Sequence, residues 1–145
     1  MKKTILATIL VALSFATFAG GKNEDKKLLA DLQAALKAST QVYWTNKNEF
    51  NKATFSFNGK NVSAFYNESD NSLVGFSIPL PLAELPQPMA DAISKKYSDW
   101  KIVAAILFVD SRASLNYFAH VQKGKVNLAI KIANGKAFIF DRIPV

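Results

Sequence analysis

The chain has 145 residues, half of them apolar, no cysteine, and a formal net charge of +7 from 18 Lys and Arg against 11 Asp and Glu. That length suits one compact domain or two small fused units, and the missing cysteines exclude a disulfide scaffold, so the fold must hold by its core. The charge is almost all Lys, with Arg112 and Arg142 the only guanidinium groups, and no nucleic-acid motif accompanies it; acidic partners or anionic headgroups are expected and nucleic acid is not.

The first element is "MKKTILATILVALSFATFAGG". Lys2 and Lys3 precede an apolar run over residues 5–18, which ends in Thr17-Phe18-Ala19, the pattern of a signal peptide cut after Ala19. The run is shorter than the roughly 20 residues that span a bilayer, so no transmembrane anchor is expected after cleavage. No Cys follows it to carry a lipid. The expected product is exported, periplasmic or secreted, and comprises residues 20–145.

Residues 24–39 place Leu28, Leu29, Leu32, Ala35 and Leu36 at the three-and-four spacing of one helical face. Glu24 and Asp25 sit where the helix dipole favours negative charge. A short strand at "VYW" (42–44) follows, then the hairpin "FNKATFSFNGKNVSAFY" (50–66). Ala53, Phe55 and Phe57 alternate with Lys52, Thr54 and Ser56, so one face is apolar. Asn58-Gly59 suits the positive φ angles of a type I′ turn, which sets Phe57 opposite Lys60, Phe55 opposite Val62 and Ala53 opposite Ala64. "NESDNS" is a further turn and "LVGFSIPL" a further strand, closed by Pro79 and Pro81.

The second half repeats this order. Pro86 and Pro88 stand where the first turn of a helix tolerates them, Met89, Ile93 and Tyr97 mark its apolar face, and Lys95 and Lys96 lie near its C-terminal end. "KIVAAILFV" is an apolar strand, "LNYFAHVQ" and "VNLAIKI" flank Lys123-Gly124, and "KAFIFDRI" follows an Asn134-Gly135 turn. In the later hairpin alternation makes Ala119 and Val121 the buried pair. The pattern is α+β: an antiparallel sheet with helices on one face, built from two tandem helix-plus-four-strand units at about 24–80 and 81–145.

"VYW", "FNKATFSFNGKNVSAFYN", "SLVGFS" and "LPQPMADAISKKYSDWKI", with the closing glycine hairpin, resemble the PepSY-like secreted proteins of bacteria, whose fold is related to the β-lactamase inhibitory protein (BLIP). The resemblance runs from about Val42 to Ile143, nearly the whole of the expected mature chain. It implies a sheet with one face open to a partner and a noncatalytic role, such as inhibiting or modulating a secreted or envelope protein. It assigns no binding residues.

Chemistry is sparse. His120 is the single His, and Asp91, Asp99, Asp110 and Asp141 are scattered without ligand spacing, so no metal or cofactor is expected. Ser63, Ser77, Ser111 and Ser114 lack a nucleophile-elbow context, and Gly59, Gly124 and Gly135 are isolated turn glycines. No enzyme is expected. By alternation Lys60, Phe65, Phe118, His120, Gln122, Lys125 and Lys131 point outward, and the two Phe are the least expected there. With Lys123, Lys136 and Arg142 crowding the last third against Asp141, the candidate binding set is Phe65, Phe118, His120, Lys123, Lys125 and Lys131. The leading expectation is a binding module whose open sheet face docks an acidic protein partner in the envelope or outside the cell. The alternative is a carrier of an apolar small molecule or lipid, held between helices and sheet, which the Phe-rich strands and the "PLPLAELPQP" connector suggest.

Overall fold

Residues 22–144 are described by the computed structural model; the predicted signal segment and its cleavage site lie outside the described residues. The elements run α1 (Lys22–Ala38), β1 (Tyr43–Lys47), β2 (Phe50–Phe57), β3 (Lys60–Asn67), β4 (Leu73–Leu80), a 3-10 turn (Leu82–Glu84), α2 (Gln87–Tyr97), β5 (Lys101–Asp110), β6 (Leu115–Lys123), β7 (Val126–Ala133) and β8 (Lys136–Arg142). The strands form an antiparallel sheet in the order β1 to β8. The fold is the expected α+β class. No described helix is long and apolar enough to cross a membrane.

The described chain divides into two compact units, one of residues 22–78 with Val109–Leu115 and one of Pro79–Phe108 with 116–144. In the first, the 50–66 hairpin has the register read from the sequence: Phe57 pairs with Lys60, Phe55 with Val62 and Ala53 with Ala64. Asn58 and Gly59 take φ of 50° and 76°, the two positive angles that a type I′ turn needs. The inward row of Ala53, Phe55, Val62, Ala64, Phe76 and Ile78 is buried, and Leu28 and Leu32 of α1 are buried with it. The outward row is short and hydroxylic: Thr54 Oγ1 lies 3.2 Å from Ser63 Oγ, and Ser63 pairs with Ser77.

One strand is longer than "VYW" implies. β1 runs to Lys47 and closes on β2 through Asn48 and Glu49, both at positive φ (53° and 69°). A turn of this kind without glycine carries no strong sequence signal. The backbone of Glu49 is held further, its carbonyl accepting the Glu68 N–H at 3.0 Å.

In the second unit Pro86 caps α2 and Pro88 lies in its first turn, while Met89, Ala92, Ile93 and Tyr97 are buried. The inward residues of β6 and β7 are Tyr117, Ala119, Val121, Leu128, Ile130 and Ile132. Gly124 takes positive φ (59°) in the two-residue turn that joins these strands, and Asn134-Gly135 repeats the type I′ pattern (52°, 71°) before β8. All of these follow the expected alternation.

Candidate binding surfaces

The outward face of β6, β7 and β8 is built by register. Phe118 stands opposite Lys131, and Lys131 opposite Phe138; His120 stands opposite Ala129, and Ala129 opposite Asp141. Between Ala129 and Ile130 the β7–β8 register shifts, which makes Phe140 an extra residue on the last strand. The Phe140 ring meets Phe118 edge to face, with centroids 5.0 Å apart and planes at 74°. Phe138 is 50% exposed and Phe140 64%. His120 Nε2 lies 2.8 Å from Asn127 Oδ1, which fixes the imidazole in the same surface. The surface therefore offers an aromatic pair, a third aromatic ring, a half-buried Lys and an imidazole, where a purely solvated sheet face would be polar.

This face joins three members of the sequence-derived set, Phe118, His120 and Lys131. Gln122 shares their side of β6, opposite Asn127. Lys125 lies in the exposed turn after β6. Phe65 belongs to the first unit, half-buried beside Gly75 in register. One lysine stands elsewhere than the outward reading had it, and a second, which joined the set for its charge, is already paired. Lys60 pairs with Phe57 in the row of Val62 and Ala64, so it lies on the helix side at the hairpin tip. Lys123 continues the row of Ala119 and Val121, and its ammonium is paired with Asp99 in the segment after α2. A loop carboxylate 24 residues away leaves no trace in local alternation. Phe138 and Phe140 were missed because "KAFIFDRI" is apolar at four successive positions and its faces cannot be told apart by period.

The Asp99 carboxyl is held below its ordinary value of 3.8, chiefly by the hydrogen bond from Lys123, with Coulombic attraction adding to it. A carboxylate whose folded pKa is depressed contributes stability above its unfolded pKa and loses it as pH falls through the folded pKa. Lys123→Ala should therefore raise the Asp99 midpoint toward 3.8 and remove that acid-side component. A carboxyl-carbon NMR titration reads it; an unmoved midpoint would show that the pair does not persist in solution.

The first unit carries a second surface on its helix side. Trp44 pairs with Ala53, and Tyr66 with Asn51, so both rings lie in the rows that face α1. They are tilted at 37° with centroids 5.9 Å apart. Together with Val42 and with Gln33, Ala34, Leu36 and Lys37 of α1 they line an open groove of about 730 Å³. Partial burial raises the pKa of the Tyr66 phenol above its ordinary value. This groove involves β1 and the end of α1, not the "PLPLAELPQP" connector that the carrier reading had in view. Among the described residues no three His, Asp or Glu side chains converge in a way that would hold a metal ion.

No protein-family model and no curated protein matches this sequence. Solved structures do match in fold. A DUF2874 family protein from Bacteroides uniformis is 18% identical with a TM-score of 0.62, over 79% of this chain and 87% of that one. A candidate periplasmic protein from Bacteroides eggerthii is 15% identical with a TM-score of 0.62, over 79% and 84%. A BLIP-like protein from Bacteroides fragilis is 16% identical with a TM-score of 0.60, over 80% and 85%, and at such identities it is the fold that the chains share: this chain has a BLIP-like fold.

Proposed function

We propose that this chain is an exported, non-enzymatic binding module that docks an acidic protein partner on the outward face of β6, β7 and β8. The observation that carries the reading is the edge-to-face Phe118–Phe140 pair, flanked by exposed Phe138 and by Lys131. Aromatic anchors beside a cation are the composition of interface hot spots. Lys136 in the row of Phe138 and Lys125 in the β6–β7 turn add positive charge that favours encounter with an acidic surface, against Asp141 opposite Ala129. Export is supported by the signal-peptide pattern and by the fold's occurrence in a candidate periplasmic protein. The BLIP-like fold supports binding rather than catalysis, and inhibition of a secreted or envelope protein is the form such binding would take.

The test uses envelope extract and two immobilised proteins, wild type and Phe118→Asp. A protein retained only by the wild type is purified and titrated directly against both. The expected result is an acidic protein whose affinity drops at least about tenfold with Phe118→Asp and weakens with added salt. Equal affinity for the two, or no retained protein, would remove the proposal.

A further inference from the structure

We infer that the Trp44–Tyr66 groove of the first unit is a ligand site for an amphipathic organic anion, an apolar chain or ring system ending in a carboxylate. This inference stands apart from the partner-docking reading, because every lining residue belongs to the first unit and to its helix side. The groove's volume of about 730 Å³ falls in the range that small organic ligands occupy. Its lining also has the composition of such sites, a mostly apolar wall with a few converging polar groups.

The residues narrow the ligand's chemistry. Ala34, Leu36 and Val42 give an aliphatic floor, and Trp44 and Tyr66 give two tilted rings against which an apolar body can lie. Trp44 is 59% exposed, a large apolar surface for a ligand to cover. Lys37 is the only charged residue in the lining, and Gln33 supplies a neutral amide. Facing aromatic rings would attract a cation, but an ammonium at the rim repels one. An anion instead gains the Lys37 charge at one end while its apolar body covers Trp44. The groove is open along its length, so binding is selective for class and modest in affinity.

The probes are decanoate and decyltrimethylammonium, which share a chain and differ in charge. Each is titrated into the purified full chain below its micelle concentration, following the Trp44 indole N–H by NMR. Decanoate should give saturable shifts at Trp44 and Lys37, with Kd in the millimolar range or tighter. Decyltrimethylammonium should bind at least about tenfold more weakly, and Lys37→Glu should reverse the preference. Lys37 is exposed, so that variant keeps its fold; Trp44→Ala, checked by its melting temperature, should weaken both probes. No saturation, equal affinity for the two probes, an unchanged preference in Lys37→Glu, or shifts that map to Phe118 and Phe140 would each overturn the inference.

Discussion

Phe55→Ala should melt far below the wild type, and Thr54→Ala should melt beside it. The two are chain neighbours on opposite sides of β2. Phe55 is 2% exposed, pairs with buried Val62 and meets the fully buried Phe76 ring edge to face, with centroids 6.1 Å apart. Truncation removes an aromatic payload and leaves a cavity under α1, a loss of about 3–5 kcal/mol. Thr54 gives up a cross-strand contact with Ser63, worth about 1 kcal/mol or less. A domain of this size has about a third to a half of its stability at stake in the first change and little in the second. Paired urea and thermal denaturation of the two variants measures the difference. Equal destabilisation would mean that the faces of the sheet are reversed.

Leu32→Asp should be costlier still. Leu32 is fully buried at the middle of the α1 stripe, between half-buried Leu29 and Leu36. Among the described residues no polar or charged side chain is fully buried, so nothing in that interior can receive a carboxylate. The cost should exceed the roughly 2–5 kcal/mol of a buried Leu→Ala change. A 17-residue helix cut loose from its packing is marginal in water, so α1 should undock and unfold together. Lost ellipticity and new protease cleavage within residues 22–38 would register this. Lys27→Ala is the comparator: it breaks the exposed Lys27–Asp31 pair, 2.8 Å long, and should shift stability by no more than about 0.5 kcal/mol. If Leu32→Asp were as benign as Lys27→Ala, α1 would not be packed on this sheet in solution.

These contrasts rest on what period-two alternation makes legible. The hairpin 50–66, the strand Leu73–Leu80, the Asn134-Gly135 turn and the buried pair Ala119 and Val121 follow from side-chain alternation and from glycine's tolerance of positive φ. Both signals are local, and locality is where they stop. The Asn48-Glu49 turn puts Glu49, a residue with no preference for positive φ, in that region, held partly by the Glu68 N–H from the turn after β3. The Lys123–Asp99 pair, like the aromatic contact of Phe118 with Phe140, joins residues about 20 positions apart. At the site, alternation put Phe118, His120 and Lys131 on one face correctly and counted Lys60 with them wrongly, because at a hairpin tip an exposed residue can belong to the inward row. The groove was invisible for a related reason. Its wall is a helix end set against an edge strand, a juxtaposition no window of sequence contains.

Strands pair with their neighbours in the chain, β1 with β2, β2 with β3, β3 with β4, and β6 through β8 in turn. Each such pairing closes a short loop, so little entropy is spent before contacts repay it, and contact order stays low for so β-rich a chain. A polypeptide that emerges N-terminus first meets its partners in that same sequence. Each hairpin can zip as its second strand emerges, without waiting for the C-terminus. The last strand, β8, with Phe138 and Phe140 exposed, then becomes available only after the other seven. Vectorial folding of this kind can be read by pulse proteolysis of chains truncated after Ala133: they should already protect β6 and β7 while the aromatic surface is still missing.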